Sequence, residues 1–148
     1  GRGLRSPPRS AARRASARRG FTLVETGVAL SVAAVLAGVA VPSYLDTLAH
    51  GRRVDATSAL QSLQRHQERF RRDHGRYAER LDQLGASGAA RSLDGHYRLE
   101  LRSLGPDSYQ ALAVAEPSQA RDLECQVFSL LVRGAITQTQ PSGRCWSL

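Results

Sequence analysis

Gly20-Phe21-Thr22-Leu23-Val24-Glu25 opens the run FTLVETGVALSVAAVLAGVAV, Phe21–Val41, in which Glu25 is the one charged residue and Thr22, Thr26 and Ser31 are the other polar side chains. A helix of that length reaches about 30 Å, the thickness of bilayer hydrocarbon, so the run is long enough to span a membrane. Ahead of it, residues 1–20 carry seven Arg and no acid, whereas Asp46, Arg52, Arg53 and Asp55 mix both signs after it. The positive-inside rule therefore predicts an N-in, C-out single pass.

The same count locates the chain's charge. Of the net +8 over 148 residues, +7 belongs to residues 1–20, leaving 14 Arg against 13 Asp and Glu in the remainder. The high pI of about 10.9 thus describes a tail and not a folded surface, which argues against a globally basic nucleic-acid binder. Residues 1–20 are Arg, Ala, Ser, Gly and Pro with a single Leu, too little apolar surface to offset the entropy of ordering, and read as an unstructured leader. The length fits one small domain behind the apolar run.

A carboxylate inside an apolar helix is costly and needs a partner, so Glu25 is the most informative position. On composition alone it could be an acid placed at the helix start, where the macrodipole favours it. Its surroundings say more: a basic leader, then Gly20-Phe21-Thr22-Leu23-Val24-Glu25, then an apolar helix ending in Val41-Pro42-Ser43-Tyr44. This arrangement resembles the N-terminus of type IV pilins and related pseudopilins. Gly51-Arg52-Arg53-Val54-Asp55-Ala56 also looks like the segment following the proline in many minor pilins. The resemblance implies cleavage by a prepilin peptidase between Gly20 and Phe21, N-methylation of Phe21, and a role for Glu25 in assembly. A new α-amino group at Phe21 would neutralise a neighbouring subunit's Glu25 inside an apolar bundle, so that the buried charge is paired. The implied partners are other pilin subunits, the peptidase and methyltransferase, and the inner-membrane assembly machinery. The implied location is the inner membrane first and the pilus afterwards, supporting pilus biogenesis, adhesion or twitching motility. A twin-arginine export signal at Arg18-Arg19, cut near Ala37–Ala40, is a rival reading. Glu25 at the entrance of the apolar region argues against it.

Apolar residues continue beyond Pro42 at helical steps, Leu45, Leu48, Ala56, Ala59, Leu60, Leu63 and Phe70. They predict an amphipathic continuation to about Asp73, with Gly38 and Pro42 as points of bending. Residues 74–95 read as a Gly-, Ala- and Ser-rich loop with a short helix near 78–84. Alternation at Tyr97, Leu99 and Leu101, then Tyr109–Ala115 and Gln126–Val132, predicts a small antiparallel sheet within about 96–138. The fold class is α+β: a long N-terminal helix, apolar in its first half, packed on a sheet headgroup over 43–148. Cys125 and Cys145 are the only cysteines, and the outward topology puts both in an oxidising compartment, which predicts a disulfide. Closing that loop is worth roughly 3 kcal/mol in the chain-entropy picture. The pair also resembles the disulfide-bounded C-terminal region of type IV pilins, and Cys145-Trp146 that of minor pilins.

Signals for catalysis are missing. His50, His66, His74 and His96 form no HExxH, no GxSxG or GxxxxGK is present, and the chain has no Lys. The sequence points to a non-enzymatic subunit without metal or cofactor. Arg65, Arg69, Arg71, Arg72, Arg76 and Arg80 form the densest basic stretch outside the leader, offset in part by Glu68, Asp73 and Glu79. A solvated helix face is the simpler account. The other comes from minor pilins that resemble DNA-uptake receptors, in which Arg69, Arg71, Arg72 and Arg76, with Arg133 and Arg144 in the disulfide region, would contact phosphates. A type II secretion pseudopilin is a further alternative.

Overall fold

The computed structural model describes Gly3 and residues 20–148 apart from Gly88, Ser142 and Leu148; the leader reading, over residues 1–20, lies outside the described residues save for Gly3 and Gly20. Helix α1 runs Leu23–His74, and strands β1 (Tyr97–Gly105), β2 (Ser108–Ala115), β3 (Val127–Arg133) and β4 (Ile136–Gln140) follow. The chain divides into two compact units, one ending at Gly38 and the other running Val39–Leu148.

In the first unit the helix begins on a side-chain cap. Thr22 Oγ1 accepts a hydrogen bond from the Glu25 amide at 3.1 Å, and the Thr-x-x-Glu spacing is that of a capping box. An acid in the first turn also suits the helix dipole. From Phe21 to Gly38 every side chain is exposed, Leu23 and Val35 at 92% and 70% among them. The helical assignment passes through both Gly38 and Pro42 without interruption.

The second unit is the α+β headgroup. Its four strands form one antiparallel sheet in the order β1-β2-β3-β4, so each strand pairs with its sequence neighbour. Tyr97, Leu99, Tyr109, Ala111, Ala113, Phe128, Leu130 and Val132 alternate with residues of the outer face, of which Leu112 and Ser129 are also buried, and form the inner face, buried with Ala56, Leu60 and Leu63 of α1 in one core. On the helix the buried positions step by three and four from Ala49 through Arg53, Ala56, Leu60 and Leu63 to Gln67. The expected stripe is therefore corrected at its ends: Leu45 is 37% exposed and Phe70 stacks on His74, while Arg53 and Gln67 go inward.

Those inward polar groups are satisfied. Gln67 donates Nε2 to the Ala78 carbonyl at 3.0 Å and accepts the Ala78 amide at 2.8 Å, which fixes the chain as it leaves α1. The segment beyond holds a 3-10 stretch, Leu81–Ser87, slightly later than the expected short helix. The expected sheet gains a strand in β4. It arises because Gly134, at φ 57, opens a two-residue connection between Arg133 and Ile136, a backbone conformation that costs glycine little and matches the sheet's twist.

Candidate functional site

Glu25 sits in the first turn of α1, exposed within this chain, and has no ion-pair partner among the described residues. Gly20 and Phe21 precede the helix and are also exposed, Phe21 at 83%. The helix that follows is long and apolar enough to cross a membrane, and none of its apolar window is buried against the chain itself. Apolar surface on this scale demands an environment the chain does not supply.

The headgroup, in contrast, ties its own charges down. Arg53 donates Nε and Nη2 to the two carboxylate oxygens of Asp122 at 2.7 and 2.8 Å, with both side chains 3% exposed, and reaches Glu124 at 3.4 Å. Burial alone would push the Asp122 carboxyl up, but the Arg53 hydrogen bonds and charge outweigh it and hold the carboxyl below its ordinary value. The Arg53 guanidinium is raised in turn, first by its bond to Asp122. Asp122 Oδ1 also accepts the Cys125 amide, so the clamp anchors the disulfide that joins Cys125 to Cys145. Two residues along the helix, buried Asp55 accepts Ser92 Oγ and the amides of Asp94 and His96. Gln119 donates to the Ala49 carbonyl. These four polar residues pin two separate segments, 92–96 and 119–125, to α1.

The six arginines proposed for phosphate contact do not share one state. Arg71 donates to the Tyr77 hydroxyl at 3.1 Å and lies 3.5 Å from Asp107, Arg76 pairs with Glu79 at 3.7 Å, and Arg144 stands 4.0 Å from Glu124. Arg69, Arg72 and Arg133 have no ion-pair partner among the described residues, and neither has Arg65. Arg65, Arg69 and Arg72 line one shallow recess on α1 with Gln61, Gln64 and Glu68. Sequence reasoning had grouped all of this stretch as one basic run; the helical steps from 65 to 69 and 72 place those three on one row apart from Arg71, and Arg76 lies beyond the end of α1 at His74. It also missed the inward Arg53 and Asp55. Among the described residues no group of three His, Cys, Asp or Glu side chains gathers in metal-binding geometry.

Comparison with known proteins gives two findings. Residues 42–129, more than half of the chain, match the family described as type IV minor pilin ComP, DNA uptake sequence receptor. The type IV major pilin protein PilA of Myxococcus xanthus is 28% identical over 67 residues, which cover 45% of this chain and 30% of that relative. The chain thus aligns with under a third of the curated relative's length.

Proposed function

This chain belongs to the type IV minor pilin family, and on that footing we propose that it is a structural subunit of a type IV pilus, held and assembled through its apolar N-terminal helix and not a catalyst. The observation that carries the reading is the exposed apolar helix from Leu23 to Gly38, with one carboxylate, Glu25, in its first turn. Lipid satisfies that surface before assembly, and the corresponding helices of other subunits satisfy it afterwards. Before assembly the subunit is a single-pass inner-membrane protein with its N-terminus inside.

Processing supplies the missing charge partner. Cutting between Gly20 and Phe21 leaves an α-amino group, which stays cationic after one methylation and compensates a neighbour's Glu25 in a low-dielectric bundle. Glu25→Ala leaves membrane insertion intact and blocks entry into filaments. The test is immunoblotting of sheared filaments against membranes. Wild-type levels of the variant in filaments would remove the role assigned to Glu25.

A second reading, DNA capture by the headgroup, is favoured by the free row Arg65, Arg69 and Arg72 together with the description of the matched family as a DNA uptake sequence receptor. Phosphate contacts by a few arginines make affinity fall steeply with salt. The full chain in detergent, titrated with a labelled duplex at two salt concentrations, distinguishes the readings: salt-sensitive binding that drops in Arg69→Gln/Arg72→Gln supports it, and no binding at low salt removes it. The match to minor pilins favours the pilus over a type II secretion pseudopilus.

A further inference from the structure

The two edges of the headgroup sheet are treated differently. At β1, the backbone of residues 90–92 closes the edge: the Leu99 amide donates to the Ala90 carbonyl at 2.8 Å, the Ser92 amide donates to the Tyr97 carbonyl at 2.9 Å, and Arg91 bridges Arg98. At the other side β4 pairs, among the described residues, with β3 alone, and all five of its residues, Ile136-Thr137-Gln138-Thr139-Gln140, are exposed. The strand contains no Pro, no charged side chain and no register irregularity, the devices that ordinarily discourage a further strand. It is an open edge of main-chain donors and acceptors up to Gln140, whose carbonyl accepts Trp146 Nε1 at 3.0 Å.

The surfaces on either side of this edge differ in chemistry. On the outer face, Gln138, Thr139, Gln140 and Pro141 form one wall of a groove whose floor includes Leu112, 8% exposed, and Val127, 45% exposed. On the inner side, Thr137 Oγ1 accepts a hydrogen bond from Gln64 Nε2 at 3.5 Å, which puts β4 beside the α1 face that carries Arg65, Arg69 and Arg72. Glu68 is the sole acid in that recess, and it accepts the Tyr77 hydroxyl at 2.8 Å.

We propose that the β4 edge is a docking site for an extended acidic peptide segment that adds as a fifth strand, with acidic side chains toward the arginine row of α1 and the alternate side chains beside Gln138 and Gln140 on the outer face. Strand addition draws affinity from main-chain pairing and specificity from the two surfaces that alternate side chains meet, and both surfaces here are defined. Charge selects among occupants. A second copy pairing β4 to β4 would oppose uncharged residues along the strands but bring a second arginine row toward the first. An acidic segment compensates that row. A nucleic acid could neutralise the arginines but offers no main chain to the edge. The proposal stands apart from the pilus reading, since it uses only the headgroup.

The test uses the full chain in detergent and a fluorescein-labelled heptapeptide of alternating Asp and Val, blocked at both ends. Fluorescence anisotropy measures affinity, and hydrogen–deuterium exchange locates the contact. The expected result is saturable binding with slowed exchange at Ile136–Gln140. The same peptide N-methylated at alternate residues, which cannot pair along its main chain, binds at least about tenfold more weakly, by the loss of one or two net hydrogen bonds. The variant Arg65→Gln/Arg69→Gln/Arg72→Gln, changed only at surface positions, also loses about tenfold, the sum expected of three exposed ion pairs. A Lys-Val peptide of the same length does not bind. Absence of binding by the Asp-Val peptide overturns the proposal, as does binding indifferent to N-methylation or protection that falls elsewhere. Protection of β4 that rises with protein concentration without peptide assigns the edge to a second copy. A 20-base-pair duplex that binds where the peptide does not assigns the arginines to nucleic acid.

Discussion

The apolar segment from Leu23 to Val41 and the headgroup beyond it meet the same requirement, that apolar surface leave water, in opposite ways. The headgroup meets it internally, with Leu60, Leu63, Tyr97, Tyr109, Phe128 and Val132 buried in one core and its inward charges paired or hydrogen-bonded. The N-terminal segment leaves Leu23, Val24, Val28, Leu30, Val35 and Leu36 exposed and carries a carboxylate with no partner among the described residues. One region is complete as a folded object, and the other is half of an interaction. A headgroup variant should therefore change the chain's own melting, and an N-terminal variant should change only what the chain joins.

The largest effect on melting is expected at the Arg53–Asp122 clamp. Asp122→Ala strands a guanidinium that is 3% exposed, and breaking a buried pair on one side costs about 3–5 kcal/mol; chemical denaturation of the full chain in detergent measures it. A loss below about 1 kcal/mol would mean that water reaches Arg53, and the headgroup would then be less self-contained than described. Removing the disulfide by Cys125→Ser/Cys145→Ser is next, at roughly 3 kcal/mol, and a melting curve with and without reductant should reproduce that gap in the wild type.

Acid and alkali attack the same unit from opposite sides. Because Asp122 is held below its ordinary value in the fold, its contribution is present above the unfolded pKa and lost as the pH falls through the folded one, so stability drops below about pH 4. Buried Tyr97 is raised, chiefly by burial, from 10.0 to about 12, so its contribution is present below pH 10.0 and lost as the pH climbs from there to about 12. Far-UV circular dichroism against pH should show both limbs, and Tyr97→Phe should weaken the alkaline one, to which Tyr77 and Tyr109, also raised by burial, contribute. The smallest effect belongs to Glu25→Ala, which should leave headgroup denaturation unchanged within about 0.5 kcal/mol. A larger shift would show that the two regions depend on one another.

Much of this contrast could be read in the chain. The apolar run, the lone Glu25, the helical spacing after Pro42 and the two cysteines are local patterns, and they predicted the long helix, the α+β headgroup and the disulfide. What was not legible depends on distant partners. Nothing in the local sequence marks Arg53 and Asp55 as inward, because their partners lie far along the chain, with Asp122 69 residues from Arg53 and Ser92 37 residues from Asp55. Gln67 went unnoticed for a similar reason, since an amide belongs in a core only when a backbone such as that of Ala78 meets both its ends. β4 was different, for Gly134-Ala135 between Val132-Arg133 and Ile136 is a hairpin signal that alternation alone passes over. The division of the arginines into engaged and free sets needed the positions of Tyr77, Asp107 and Glu79.

The central claim is that the N-terminal region is made to join other subunits after processing, and intact mass with N-terminal sequencing of the protein taken from membranes tests it most directly. The account predicts a chain beginning at Phe21 and heavier by one methyl group. A terminus near Val41, or an uncut leader, would contradict it and leave the headgroup without the charged N-terminus that the proposed assembly requires.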